Sequence, residues 1–129
     1  MTINAAIVGL GWWGRTLVDS TDGSEALRFS AAATRTVTDE TRAFTDQHSL
    51  KLHSSFEEVI ADPSIDAVVL ATPHSQHSTQ VIAAAGAGKH VFCEKPFALT
   101  KAEAQAAVDA TKVAGVTLGL GYNLSLIHI

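Results

Sequence analysis

Gly9-x-Gly11-x-x-Gly14 lies directly behind the apolar run Ala5-Ala6-Ile7-Val8 and ahead of the helix-like stretch Arg15 to Ser20. No other feature constrains the fold so strongly. Gly9 permits a tight turn out of a strand, Gly11 lets a pyrophosphate approach the backbone, and Gly14 lets the following helix pack against the strand. The first amides of that helix have no partners within it, and the helix dipole favours an anion there. Strand, turn and helix N-terminus together predict a dinucleotide site at the start of the chain. The bland alternative is a glycine-rich loop that binds nothing.

Short β-like runs alternate with helix-like runs along the rest of the chain. Strands are expected at Leu27–Ala33, Leu50–His53, Asp66–Ala71, His90–Glu94 and Val116–Gly121. Helices are expected at Trp13–Ser20, Asp39–His48, Ser55–Ala61, Gln76–Ala87 and Thr100–Ala114, with capping boxes at Ser55-Phe56-Glu57-Glu58 and Thr100-Lys101-Ala102-Glu103. This alternation predicts an α/β fold of Rossmann type: a doubly wound parallel sheet in three α/β/α layers, with right-handed crossovers. The 129 residues suffice for one such domain. Only 17% are charged, against about 25% in an average soluble domain, which suits a sheet covered on both faces. A net charge of −4 without a basic run argues against nucleic acid or an anionic membrane as partner. The lone Cys93 and the absence of a long apolar run point to a cytoplasmic protein.

Ligands of open α/β sheets sit beyond the carboxyl ends of the strands. After the second strand, an acid that would bind the ribose 2′-hydroxyl is missing, and Thr34-Arg35 stands there instead. A carboxylate repels a 2′-phosphate, whereas Arg grips one bidentately, so the expected NAD(P) cofactor leans to NADP. The alternative is a solvated Arg35, with Asp39 or another acid reaching the ribose. After the fourth strand comes Thr72-Pro73-His74-Ser75-Gln76-His77, a polar cluster for the ribose or nicotinamide side, or simply a loop in which Ser75 or His74 caps a helix. A zinc pair from His74 and His77 has no third ligand nearby, and no metal is expected. After the fifth strand comes Glu94-Lys95-Pro96. Lys95 there can donate to a substrate oxygen or shuttle a proton, Glu94 can hold ribose hydroxyls, and Pro96 fixes the turn. The plain alternative is an ion pair at a strand end. Trp12 and Trp13 are expected to divide between packing and flanking the cofactor phosphates, and Cys93 to be an inert strand residue.

Taken in order, Gly9-Leu10-Gly11-Trp12-Trp13-Gly14, Ile65-Asp66-Ala67-Val68, Ala71-Thr72-Pro73-x-x-x-His77, Gly88-Lys89-His90-Val91, Glu94-Lys95-Pro96 and Gly121-Tyr122-Asn123 resemble the N-terminal domain of the glucose–fructose oxidoreductase / inositol dehydrogenase / rhizopine-catabolism (Gfo/Idh/MocA) family. The resemblance implies an NAD(P)-dependent oxidoreductase acting on a sugar, cyclitol or related polyol, in a homo-oligomeric parent protein. It further implies that the glycine loop binds pyrophosphate, that Thr72, Pro73 and His77 lie against the nicotinamide half, that Glu94 holds its ribose, and that Lys95 reaches the reacting hydroxyl. A non-catalytic dinucleotide-sensing module is the competing reading. An amine at Lys95, where hydride transfer would occur, argues against it.

The family continues past Tyr122-Asn123 into a substrate domain. The reading is therefore a dinucleotide-binding domain at residues 1–123, a missing C-terminal substrate domain, and a chain that by itself turns nothing over. The ending Leu124-Ser125-Leu126-Ile127-His128-Ile129 departs from the basic segment usual there and matches a translated transposon end from sequencing libraries. Residues 124–129 are accordingly expected to be a non-native tail.

Overall fold

The computed structural model describes residues 2–121. The tail at 124–129 and the Tyr122-Asn123 pair lie outside the described residues.

Strand β1 (Ile3–Val8) runs into helix α1 (Trp12–Ser20), and β2 (Leu27–Ala33) into α2 (Asp39–Gln47). A two-residue strand β3 (Lys51–Leu52) precedes α3 (Phe56–Ala61), and β4 (Ala67–Leu70) leads through a 3-10 turn (His74–Gln76) into α4 (His77–Gly86). Then follow β5 (His90–Glu94), α5 (Lys101–Ala114) and β6 (Leu118–Gly121). The strands form one sheet in the order β3-β2-β1-β4-β5-β6, every pair parallel. This is the doubly wound order in which the topology reverses between β1 and β4, where a crevice opens at the carboxyl edge.

Alternation along β1 divides the core into two. Ala6 and Val8 face one side with Val59 of α3, Val81 and Ala84 of α4 and Ala107 of α5. Ala5 and Ile7 face the other with Val18 of α1 and, at the margin, Phe44 of α2. The sheet is therefore buried between helices on both faces, which is why its strands read as continuous apolar runs.

Local chemistry sets the helix ends. Ser55 and Thr100 accept from the amides of Glu58 and Glu103 at 3.2 and 3.1 Å. Each box closes one residue earlier than expected, because Glu58 and Glu103 accept from the amides of Ser54 and Leu99 rather than from those of the caps. Gly115 closes α5 in the left-handed conformation at φ 70°.

Several boundaries differ from the sequence expectation. β4 is shorter at both ends, and just ahead of it the Asp66 carboxylate accepts from the Asn4 amide at 2.9 Å. β6 begins at Leu118 rather than Val116, and α1 begins one residue early at Trp12. Neither His74 nor Ser75 caps α4: the chain enters that helix through the 3-10 turn, with Gln76 donating to the Pro73 carbonyl at 3.0 Å, so no extended capping residue exists. Lys89 is buried and its ammonium donates to the carbonyls of Asp62 and Ile65 at 2.8 and 2.7 Å, pinning the approach to β4.

Candidate functional site

The turn after β1 is built by backbone proximity. Gly9 has φ 99°, and a Cβ there would lie 2.6 Å from the Ala71 carbonyl oxygen. A Cβ on Gly14 would overlap the carbonyl oxygen of Gly9. At Gly11 a Cβ would meet nothing within 4 Å, so the space above it is open for a ligand. Gly11 also caps α1 without a side chain, and the first turn of α1 holds no acid. The amides there have neither a capping oxygen nor a competing carboxylate, which is the arrangement an anion requires.

A cavity of about 370 Å³ opens in front of this turn. It is bounded by Val8–Gly11, by Ala33, Thr34 and Arg35 after β2, by Ser54, Ser55 and Phe56 after β3, and by Thr72, Pro73, Gln76 and Gln80 after β4. The structure thus brings the glycine loop, Thr34-Arg35 and Thr72-Pro73 to one opening. The Thr72 hydroxyl donates to Gln80 Oε1 at 2.6 Å, which fixes its rotamer. Beside it a second recess of about 300 Å³ gathers Arg15 and Arg35 with Thr34, Thr36, Thr38 and Glu40. Arg15 approaches Glu40 only to 3.8 Å, and both are well exposed, so this pair costs little to break.

Ser54, Ser55, Phe56, Gln80 and Arg15 carried no ligand-contact expectation from the sequence, whereas Gln76 lay within the polar cluster expected at the ribose or nicotinamide side. Ser55 stood out only as a helix cap. The available signal was its place at the carboxyl end of a strand, and a two-residue strand is too short to announce that end.

Glu94 and Lys95 lie one strand further along, outside this cavity. Glu94 is 8% exposed, and its carboxylate sits where a Cβ on Gly121 would be, 2.6 Å from Oε1. Only glycine at the end of β6 leaves room for it. Lys95 is exposed and precedes a cis bond to Pro96. No ion pair joins Glu94 and Lys95 among the described residues. His74 is exposed. His77 is 1% exposed, with Nδ1 2.8 Å from the Pro96 carbonyl and Nε2 2.8 Å from that of Thr72. It stands behind the pocket wall rather than in the opening.

Trp12 is 74% exposed beside the loop, and Trp13 is half-buried, its ring centre 5.6 Å away. Cys93 is fully buried and its thiol is pushed up to about 12 by burial and then by the Glu94 charge. It is no nucleophile. Asp19 and Asp22 flank His48 at 3.0 and 3.4 Å, but that group closes the C-terminal ends of α1 and α2, far from this edge. Among the described residues, no helix is long and apolar enough to cross a membrane.

Three features fit a dinucleotide: anion-ready amides, open space over Gly11, and a crevice at the switch point. Comparison with known proteins agrees. Residues 3–122 match the model of an oxidoreductase family with an NAD-binding Rossmann fold. A 1,5-anhydro-D-fructose reductase of Ensifer adhaerens is 46% identical over 71 residues, which are 55% of this chain and 21% of that protein. The NADP(+) scyllo-inositol 2-dehydrogenase of Bacillus subtilis is 30% identical over 116 residues, 90% of this chain and 35% of that one. The crystal structure of biliverdin reductase with biliverdin and NADP+ from Synechocystis superposes with a TM-score of 0.89 at 27% identity, covering 96% of this chain and 39% of that one. The match spans 21–39% of these three proteins.

Proposed function

The chain belongs to this oxidoreductase family, and from that premise we propose that it is the dinucleotide-binding part of a longer NAD(P)-dependent oxidoreductase acting on a sugar, cyclitol or related hydroxy compound. The names of the anhydrofructose reductase and the inositol dehydrogenase support the substrate class, and the share of the relatives' length that is matched supports a further, substrate-binding domain. The observation that carries the reading is the opened space over Gly11, set between two glycines that the backbone itself requires.

The nicotinamide supplies the hydride chemistry. The chain's own residues supply binding and orientation. The N-terminal amides of α1 hold the pyrophosphate. Thr34 and Arg35 meet the ribose next to adenine, and Arg15 lends a second cation to the same recess. That pair supports NADP over NAD, because a 2′-phosphate needs two or more cationic or hydroxyl donors where a free 2′-hydroxyl needs an acceptor. Thr72 and Pro73 form the wall against the nicotinamide half. Glu94 accepts from its ribose. Lys95 donates to the substrate oxygen and carries its proton, and is the catalytic residue.

The experiment is to titrate NAD and NADP separately into the protein by calorimetry. Tighter binding of NADP is expected. Arg35→Ala is expected to weaken NADP by about tenfold, the loss of one charge-assisted contact, and to leave NAD unchanged. NAD binding as tight as NADP removes the role given to Arg35. No binding of either removes the function.

A further inference from the structure

β4 and β5 pair from Ala67 with His90 up to Leu70 with Cys93. Beyond that ladder the two chains separate into the turns that carry Thr72-Pro73 and Glu94-Lys95-Pro96. Among the described residues, His77 is the one side chain that hydrogen-bonds both turns, through the carbonyls of Thr72 and Pro96. The ring is nearly inaccessible to solvent, so a ligand cannot take over either bond. Both partners are carbonyls and only accept. Each bond therefore needs an N–H on the ring nitrogen that makes it.

We propose that His77 is a positioning residue that sets the spacing between the nicotinamide wall at Thr72-Pro73 and the amine of Lys95. This rests on the dinucleotide reading above. His77 touches neither cofactor nor substrate; it acts through the two backbone turns. Its effect is therefore confined to the nicotinamide half. The adenine half rests on β1, β2 and β3, which His77 does not contact by hydrogen bond. Small misplacements of reacting groups are costly, so the brace matters for rate as well as for binding.

The test compares wild type, His77→Phe, which keeps a ring and loses both bonds, and His77→Gln, which restores an N–H donor. Each is titrated with the dinucleotide the wild type prefers and with ADP, which lacks both the nicotinamide and its ribose. Far-UV circular dichroism scores folding, and His77→Gln carries the comparison if His77→Phe does not fold. About tenfold weaker dinucleotide binding by His77→Phe is expected, with ADP unchanged and part of the loss recovered in His77→Gln. Equal weakening of both ligands means general loosening and overturns the assignment, as does unchanged dinucleotide affinity. A wild type that binds neither dinucleotide sinks the function reading instead, and the positioning role with it.

Discussion

Three glycines of one motif should respond to alanine in different ways, and the reason is geometric. At Gly9 the backbone sits at φ 99°, and an added Cβ would press on the Ala71 carbonyl oxygen at 2.6 Å. The positive φ costs roughly 1–2 kcal/mol for a residue with a Cβ, and overpacking adds roughly 1–3 kcal/mol. Gly9→Ala should therefore lose about 2–5 kcal/mol, a large part of the ~5–15 kcal/mol that holds an ordinary domain together. At about 4 °C per kcal/mol for a domain of this size, the melting temperature falls by about 8–20 °C. Gly14→Ala lacks the φ penalty but meets the Gly9 carbonyl, and should lose about 3 kcal/mol. Gly11→Ala meets nothing within 4 Å. It forfeits only part of a helix cap, about 0.5–1 kcal/mol, and melts within about 4 °C of wild type. Its cost appears on adding dinucleotide, as about a tenfold weaker affinity, because the new methyl occupies the approach to the amides. Urea and thermal unfolding followed by far-UV circular dichroism, without cofactor, rank the three. A Gly11→Ala protein as unstable as Gly9→Ala, or a Gly9→Ala protein within about 1 kcal/mol of wild type, would refute the account of the loop.

Cys93 should resist thiol reagents at pH 8 until the chain unfolds, as followed by mass spectrometry. Its ionisation is raised from 9.0 to about 12 in the fold. The unfolded chain therefore releases the thiol proton first as pH rises, and the stability present below pH 9 declines between 9 and about 12. The Glu58 and Asp62 carboxyls are held below their usual range, chiefly by hydrogen bonds from Ser54 and from Ser64. Their contribution is present above their unfolded values and fades as pH falls through the acid range, so Ser64→Ala should lessen the pH dependence of urea midpoints there. Thr100→Ala removes the cap on α5 and should cost about 1 kcal/mol in the same urea assay. Lys95→Met should abolish turnover of the full-length protein in a steady-state assay, with dinucleotide affinity nearly intact.

What could be read from the sequence was local or periodic. Three glycines at fixed spacing behind four apolar residues specify a turn and a helix start, because the steric demands of that turn are met by the residues themselves. Likewise Ser55 with Glu58, and Thr100 with Glu103, mark helix starts within four residues. The alternation of strands and helices left little besides a parallel, doubly wound sheet.

Only the tertiary structure decided which strand ends share an opening. The order β3-β2-β1-β4-β5-β6 brings Ser54 and Phe56 to the cavity that Gly11 faces and leaves Lys95 one strand away. It also turned His77 from a candidate contact into a bond between residues 72 and 96. Such relations join positions 5 to 45 apart in the chain. They follow from how the elements pack and from which carbonyls packing leaves in need of a donor, and no short stretch of residues encodes either.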